Sequence, residues 1–158
     1  MKVPSSLVVF RLDGQRYAVQ LKVVERIVNA VEVTPLPNAP APVLGVINVG
    51  GQLLPVFNLR RRFDLPIREI GPRDHFVIAR TALRLVALAV DEVQEVVTRA
   101  DIKITPSEEI VGGVECIQGI ARLEDGLVLI YDLEKFLSLE ESRTLESALS
   151  KEVASEVG

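Results

Sequence analysis

Gly45 to Phe63 reads GVINVGGQLLPVFNLRRRF, and Gly119 to Leu137 reads GIARLEDGLVLIYDLEKFL. At a constant offset of 74 (119 minus 45), Gly45 falls on Gly119, Val46 on Ile120, Leu53 on Leu127, Val56 on Ile130, Phe57 on Tyr131 and Leu59 on Leu133. Each copy predicts a strand, a two-residue turn, a second strand and a short charged helical segment. Gly50-Gly51 and Asp125-Gly126 are turn dipeptides set between β-branched and aliphatic runs. Self-similarity at a fixed spacing predicts a duplicated architecture before any single residue is interpreted.

The duplication extends outward from this stretch. YAVQLKVVERIV, Tyr17 to Val28, lies over VALAVDEVQEVV, Val86 to Val97, at an offset of 69 (86 minus 17), matching Val24 with Val93, Ile27 with Val96 and Val28 with Val97. Before it, Leu7 to Leu12 and Arg16 to Leu21 are β-rich runs separated by Asp13-Gly14, a hairpin signal. Lys22 to Val28 fits either a helical turn or a strand. Phe76 to Ala79 and Leu83 to Val90 predict two more strands. The modules are therefore expected near 7–66 and 73–137, within one domain spanning 1–158, and followed by a helical tail at 138–158. Ser138 to Glu141 forms a capping box, and Leu145, Ala148, Leu149 and Val153 share one face of that tail. TPLPNAPAP, Thr34 to Pro42, holds four prolines in nine residues and predicts an extended connection. Pro66 to Arg73 and Thr105 to Gly113 read as surface loops.

Composition bounds the function. With 48% apolar residues among 158, the chain can build a substantial core. A formal charge of -4, a pI near 5.1 and 4% aromatic residues argue against a nucleic-acid partner, which needs basic and stacking surfaces. No apolar run approaches the roughly 20 residues that span a bilayer, and the N-terminus lacks the order of a signal peptide. A cytoplasmic protein without direct membrane insertion is expected. The one cysteine, Cys116, cannot form an internal disulfide.

Catalytic chemistry has little to draw on. His75 and Cys116 are the only His and Cys, so they are the only candidates for a Cys-His pair, and a metal site would need carboxylates alone. The ordinary readings are a strand-edge histidine and a small buried apolar residue. Asp13 and Asp125 sit in turns, and Glu140, Glu141 and Glu146 in the tail. Neither GxGxxG nor GxxxxGK[ST] occurs. Arg60-Arg61-Arg62 concentrates positive charge at a helical end, for solvent or for an acidic partner. No catalytic residue, cofactor or metal ligand is predicted, so the chain is expected to work through its surfaces.

GVINVGGQLLPVFNLRRRF resembles the signature of CheW-type coupling proteins, G-x-x-N-L-R-G followed by apolar residues, P-V and D-L-R. The resemblance runs through Leu7 to Leu12, Val24 to Val28, the PLPNAP loop and GLVLIYDLEKFL to the tail. It implies an all-β fold of two SH3-like five-stranded β-barrels packed around a further apolar core, with short helices and a C-terminal helix. It also implies a non-catalytic adaptor that couples the cytoplasmic tip of methyl-accepting chemoreceptors to the regulatory domain of a CheA-type histidine kinase. Carried over by position, the protein-binding residues are Val24, Arg26, Ile27 and Gly50, with Val93 and Val96 in the second copy; Gly45, Gly51 and Gly126 serve the backbone at turns. Three positions depart from the family pattern. Arg26 stands where a glutamate is frequent, Gly50 replaces the arginine of N-L-R-G, and Asn58 replaces the aspartate of D-L-R. The two charge changes point to a specialised coupler with altered partner choice as one alternative, and a small β-barrel ligand-binding protein is the other.

Overall fold

Asp13 and Gly14 take φ of 53° and 82°, and Gly50 and Gly51 take 60° and 87°. Both two-residue loops are thus hairpin turns whose twist matches that of the strands they join. The computed structural model describes residues 5–63, 65–99, 104–106, 117–123, 126–135, 137 and 139–157. Cys116, Asp125, Ser138 and the greater part of the Thr105 to Gly113 stretch lie outside the described residues.

The strands are β1 Ser5–Leu12, β2 Gln15–Gln20, β3 Val24–Asn29, β4 Val43–Val49, β5 Gln52–Phe57, β6 His75–Arg80, β7 Leu85–Val90, β8 Glu92–Arg99, β9 Ile104–Pro106, β10 Ile117–Leu123 and β11 Gly126–Tyr131. A short helix α1, Leu59–Arg62, follows β5, and a long helix α2, Leu139–Val157, closes the chain. Lys22 to Val28 divides between a 3₁₀ turn at Leu21–Val23 and strand β3, so both readings of that segment hold in part. Two local expectations are corrected. Leu83 is 70% exposed in the β6–β7 connection, where Thr81 accepts from the backbone N–H groups of Leu83 and Arg84, so the strand begins at Leu85. Thr105 and Pro106 pair with β10 instead of lying in a loop.

The strands form a six-stranded sheet in the order β8-β1-β2-β11-β10-β9 and a five-stranded sheet in the order β3-β6-β7-β5-β4. These are the two SH3-like modules, and they repeat each other in detail. The parallel pair Val56↔Ala87 in one sheet corresponds, by the offsets of 74 and 69, to Ile130↔Ala18 in the other. The bridge Thr34↔Val46 corresponds to Thr105↔Ile120, which explains why one sheet counts a sixth strand. The modules do not follow the 7–66 and 73–137 division. The hairpin β1-β2 joins strands from 92–131, while β6-β7 joins strands from 24–57, so each repeat gives its first hairpin to the other repeat's sheet. Local periodicity predicts strands but is silent about such an exchange, because pairing partners lie far apart in sequence.

Three apolar clusters result. Leu7, Val9, Ala18, Val97, Ala121, Val128 and Ile130 fill one sheet's interior, and Ile47, Leu54, Val56, Phe76, Ile78 and Ala87 fill the other's. Between the sheets, Val8, Phe10, Tyr17, Val19, Phe57, Val77, Val86 and Leu88 pack together with Leu145 and Ala148 of α2. The alternation along β1 sends Leu7 and Val9 to one core and Val8 and Phe10 to another. Burial on both faces accounts for its unbroken apolar run. Tyr17 stacks on Phe63 at 4.7 Å and Phe63 meets Tyr131 edge-on at 5.0 Å, which ties the segment after α1 to the opposite sheet.

Candidate partner-binding surfaces

Register along the two outer strands sorts the candidate residues by face. On β3, Val24 lies opposite Ala79 and Ile27 opposite Val77, both residues of the central core, whereas Arg26 lies opposite Ile78 of a sheet interior. A bulge at Glu25 produces this switch. β8 repeats it: Val93 lies opposite Phe10, Val96 opposite Val8 and Glu95 opposite Val9, with the bulge at Gln94. Val24 and Val93 are half-buried against the central core, while Ile27 and Val96 on the same faces are 38% and 52% exposed. The four apolar candidates therefore rim the space between the sheets. Arg26 is on the opposite face of β3, apart from them. Glu95, its counterpart in the second repeat, is a surface residue that the sequence reading missed; the offset of 69 identifies it.

The glycines serve the backbone in different ways. Gly50 and Gly51 make the β4-β5 turn, where Asn48 Oδ1 accepts from the Gly51 N–H at 2.9 Å. Gly126 opens β11. Gly45 is in no turn: it sits within β4 at the bulge between Val43 and Gly45, where a Cβ would collide with the backbone of Thr34. Thr34 and Val46 exchange backbone hydrogen bonds of 2.9 and 2.8 Å there, which fixes the close approach. Asn58, the milder departure, caps α1 by accepting from the Arg61 N–H at 3.3 Å. Its counterpart Asp132 accepts from the Glu134 N–H at 3.1 Å, so the two residue types do one job.

Arg60 serves neither solvent nor a partner. Its side chain is 9% exposed, and Nη2 donates to both Asp91 carboxylate oxygens at 2.7 Å while Nη1 donates to the Pro66 carbonyl at 3.0 Å. Arg68 extends the network, donating to Asp91 at 2.8 Å and to both Asp74 oxygens at 2.8 and 2.9 Å. Asp91 also accepts from the Asp13 N–H at 2.8 Å. It occupies the crossing between β7 of one sheet and β8 of the other, so the cluster ties the two modules at their junction. Partial burial opposes ionisation of Asp91, but the Asp13 N–H and the two guanidinium groups outweigh it and hold the carboxyl below its ordinary value. The same two carboxylates raise the Arg68 guanidinium, Asp74 most strongly. Burial raises the Tyr17 phenol, with a smaller push from Asp13.

Among the described residues, reactive groups do not converge. His75 begins β6 with Nδ1 buried and unpaired among the described residues. No group of three His, Cys, Asp or Glu able to hold a metal occurs among the described residues. A cleft lined by Phe57, Leu83, Leu133 and Leu145 measures about 50 Å³, against several hundred for a small-molecule site. No helix among the described residues is long and apolar enough to cross a membrane.

Comparison with known proteins matches residues 6–141 to the family model described as the CheW-like domain. The chain is similar to chemotaxis protein CheW of Rhizobium meliloti, 31% identical over 137 residues that cover 85% of this chain and 88% of that protein. It is also similar to chemotaxis protein CheW of Bacillus subtilis, 30% identical over 149 residues, covering 91% and 94%. Among solved structures, the scaffolding protein TtCheW from Thermoanaerobacter tengcongensis aligns with a TM-score of 0.79 and 26% identity, over 88% of this chain and 96% of that one.

Proposed function

The chain belongs to the CheW-like family, and from that premise we propose that it is the adaptor that couples chemoreceptors to a CheA-type histidine kinase in a chemosensory array. It acts by binding and not by catalysis, in the cytoplasm, where it is recruited to the array. The observation that carries this reading is the pair of equivalent outer strands, β3 and β8, which present Ile27 and Val96 at the rim of the central core. A rim of apolar anchors between two β modules suits a helical hairpin, whose side chains at helical spacing can enter it. Val24, Ile27, Val93 and Val96 form the proposed receptor-facing set. The kinase regulatory domain is the second partner, held through the modules' outer surfaces.

Two competing readings fare differently. A ligand carrier needs an internal cavity, and the space between the sheets is occupied by Phe10, Tyr17, Phe57, Val77 and Leu88. A specialised coupler rests on Arg26 and Gly50, which depart from the family pattern yet stand apart from the apolar set on β3 and β8. Affinity capture with the regulatory domains of the cell's CheA homologues and with receptor hairpin fragments tests the proposal. Retention of both classes supports it, and retention of neither removes it.

A further inference from the structure

The β6-β7 turn carries an apolar residue that the fold does not require. At the offset of 69, Ala82 and Leu83 fall on Asp13 and Gly14, the polar tip of the equivalent hairpin β1-β2. Leu83 is 70% exposed, more than any other large apolar side chain among the described residues. The turn that presents it is firmly tied. The Thr81 N–H donates to the Arg84 carbonyl at 2.8 Å, Thr81 Oγ1 accepts from the Arg84 N–H at 3.1 Å, and the Ala82 N–H donates to Glu134 Oε1 at 2.8 Å. These bonds hold the turn against the 3₁₀ turn at Leu133–Lys135 and leave Leu83 outside. Beside it opens the cleft of about 50 Å³, whose apolar floor includes buried Phe57, Val86, Leu133 and Leu145. Arg84 lines the same cleft half-buried, and its guanidinium makes no hydrogen bond or ion pair among the described residues. The carboxylate that lines it, Glu134, is already engaged by Ala82.

We infer that this cleft docks an acidic amphipathic helix of a partner protein, with one apolar side chain in the cleft, a second against Leu83 and a carboxylate on Arg84. Two observations choose that occupant. Strands β6 and β7 are each paired on both sides, so an extended segment finds no free edge to join there. A helix satisfies its own backbone and binds through side chains at helical spacing. A half-buried guanidinium without a counter-charge selects a carboxylate, because charge-assisted hydrogen bonds are the strongest it can form. The volume fits the end of one side chain, which is an anchor and not a small-molecule site. The lining residues come from β5, β7, the β6-β7 turn, the Leu133–Lys135 turn and the chain from Leu137 into α2, and none from β3 or β8. The site is therefore separate from the proposed receptor groove and goes beyond that reading.

Fluorescence anisotropy on the full chain tests the inference with a labelled helical peptide of about 15 residues, bearing leucines along one face and glutamates beside them. A second peptide carries lysines in place of the glutamates. The chain's formal charge of -4 favours the basic peptide over the surface at large, so a preference for the acidic one has to come from the site. The expected result is binding of the acidic peptide at least about tenfold tighter than the basic one, with amide NMR shifts centred on Thr81 to Val86 and the first turns of α2. Leu83→Ser should weaken that binding by about tenfold or more, and Arg84→Gln should abolish the preference between the peptides. Arg84→Glu should reverse it. An unchanged melting temperature confirms that each variant folds. A receptor hairpin fragment in excess should leave the acidic peptide bound. Equal affinity for the two peptides, binding of neither, indifference to the substitutions, or displacement by the receptor fragment would each overturn the inference. Loss of kinase or receptor capture has no bearing on it, so the two proposals fail separately.

Discussion

Arg60 Nη2 donates to both carboxylate oxygens of Asp91 at 2.7 Å, joining the helix that ends one repeat's second hairpin to the residue where the chain crosses between sheets. The Arg60 side chain is 9% exposed, so removing Asp91 leaves a nearly dry guanidinium with only the Pro66 carbonyl and a longer 3.5 Å contact to Asp13. Asp91→Ala is expected to cost about 3 kcal/mol in urea denaturation, at the low end for a broken buried pair because Asp91 itself keeps some solvent. Arg60→Lys should recover little of what Arg60→Ala loses, since an ammonium cannot reproduce the forked contact. Equal stability of wild type and Asp91→Ala would contradict this role.

Acid should weaken the same junction. The folded state holds the Asp91 carboxyl below its ordinary value, so its contribution to stability is fully present above the unfolded carboxylate pKa, about 4. It fades as pH falls through the lower folded value. Urea midpoints between pH 7 and pH 3 should therefore fall less steeply for Asp91→Asn than for wild type. Parallel curves would show that this carboxylate is not linked to folding.

Gly45→Ala is expected to destabilise by about 3 kcal/mol, because the new methyl group meets the Thr34 backbone and no flexible side chain can yield. Gly51→Ala, at φ of 87° with open space around it, should cost only about 1 kcal/mol of backbone strain. Thermal melting of the two variants side by side reads the difference. A reversed order would contradict the assignment of one glycine to close approach and the other to a turn.

At the groove, Ile27→Asp and Val96→Asp should leave the melting temperature within a few degrees of wild type yet reduce binding of a receptor hairpin fragment by about tenfold or more. Val24→Asp and Val93→Asp should lower stability as well, because both side chains pack against the central core. Binding that is unchanged in the two exposed variants would place the receptor elsewhere.

The turn dipeptides made the first two hairpins legible, since Asp13-Gly14 and Gly50-Gly51 are local signals, and the offset of 74 carries the second of them to the other repeat. The apolar residues of the tail were equally legible: Leu145 and Ala148 are buried where helical spacing put them. What stayed hidden depends on distance or on a single extra residue. The hairpin exchange joins Ala18 to Ile130 and Ala87 to Val56, and no local pattern encodes such pairings. Arg60 looked like part of a solvated basic run because its partner is 31 residues away. Val24 and Arg26, two apart, were grouped as one surface because the bulge at Glu25, which puts them on opposite faces, leaves no mark in composition.

The most direct measurement is a titration of labelled chain with the kinase regulatory domain, with a receptor hairpin fragment, and then with both together. A bridging adaptor predicts binding to each and a complex in which the second partner joins without displacing the first. Failure to bind either partner, or mutual exclusion of the two, would contradict the role of an adaptor held by two separate surfaces.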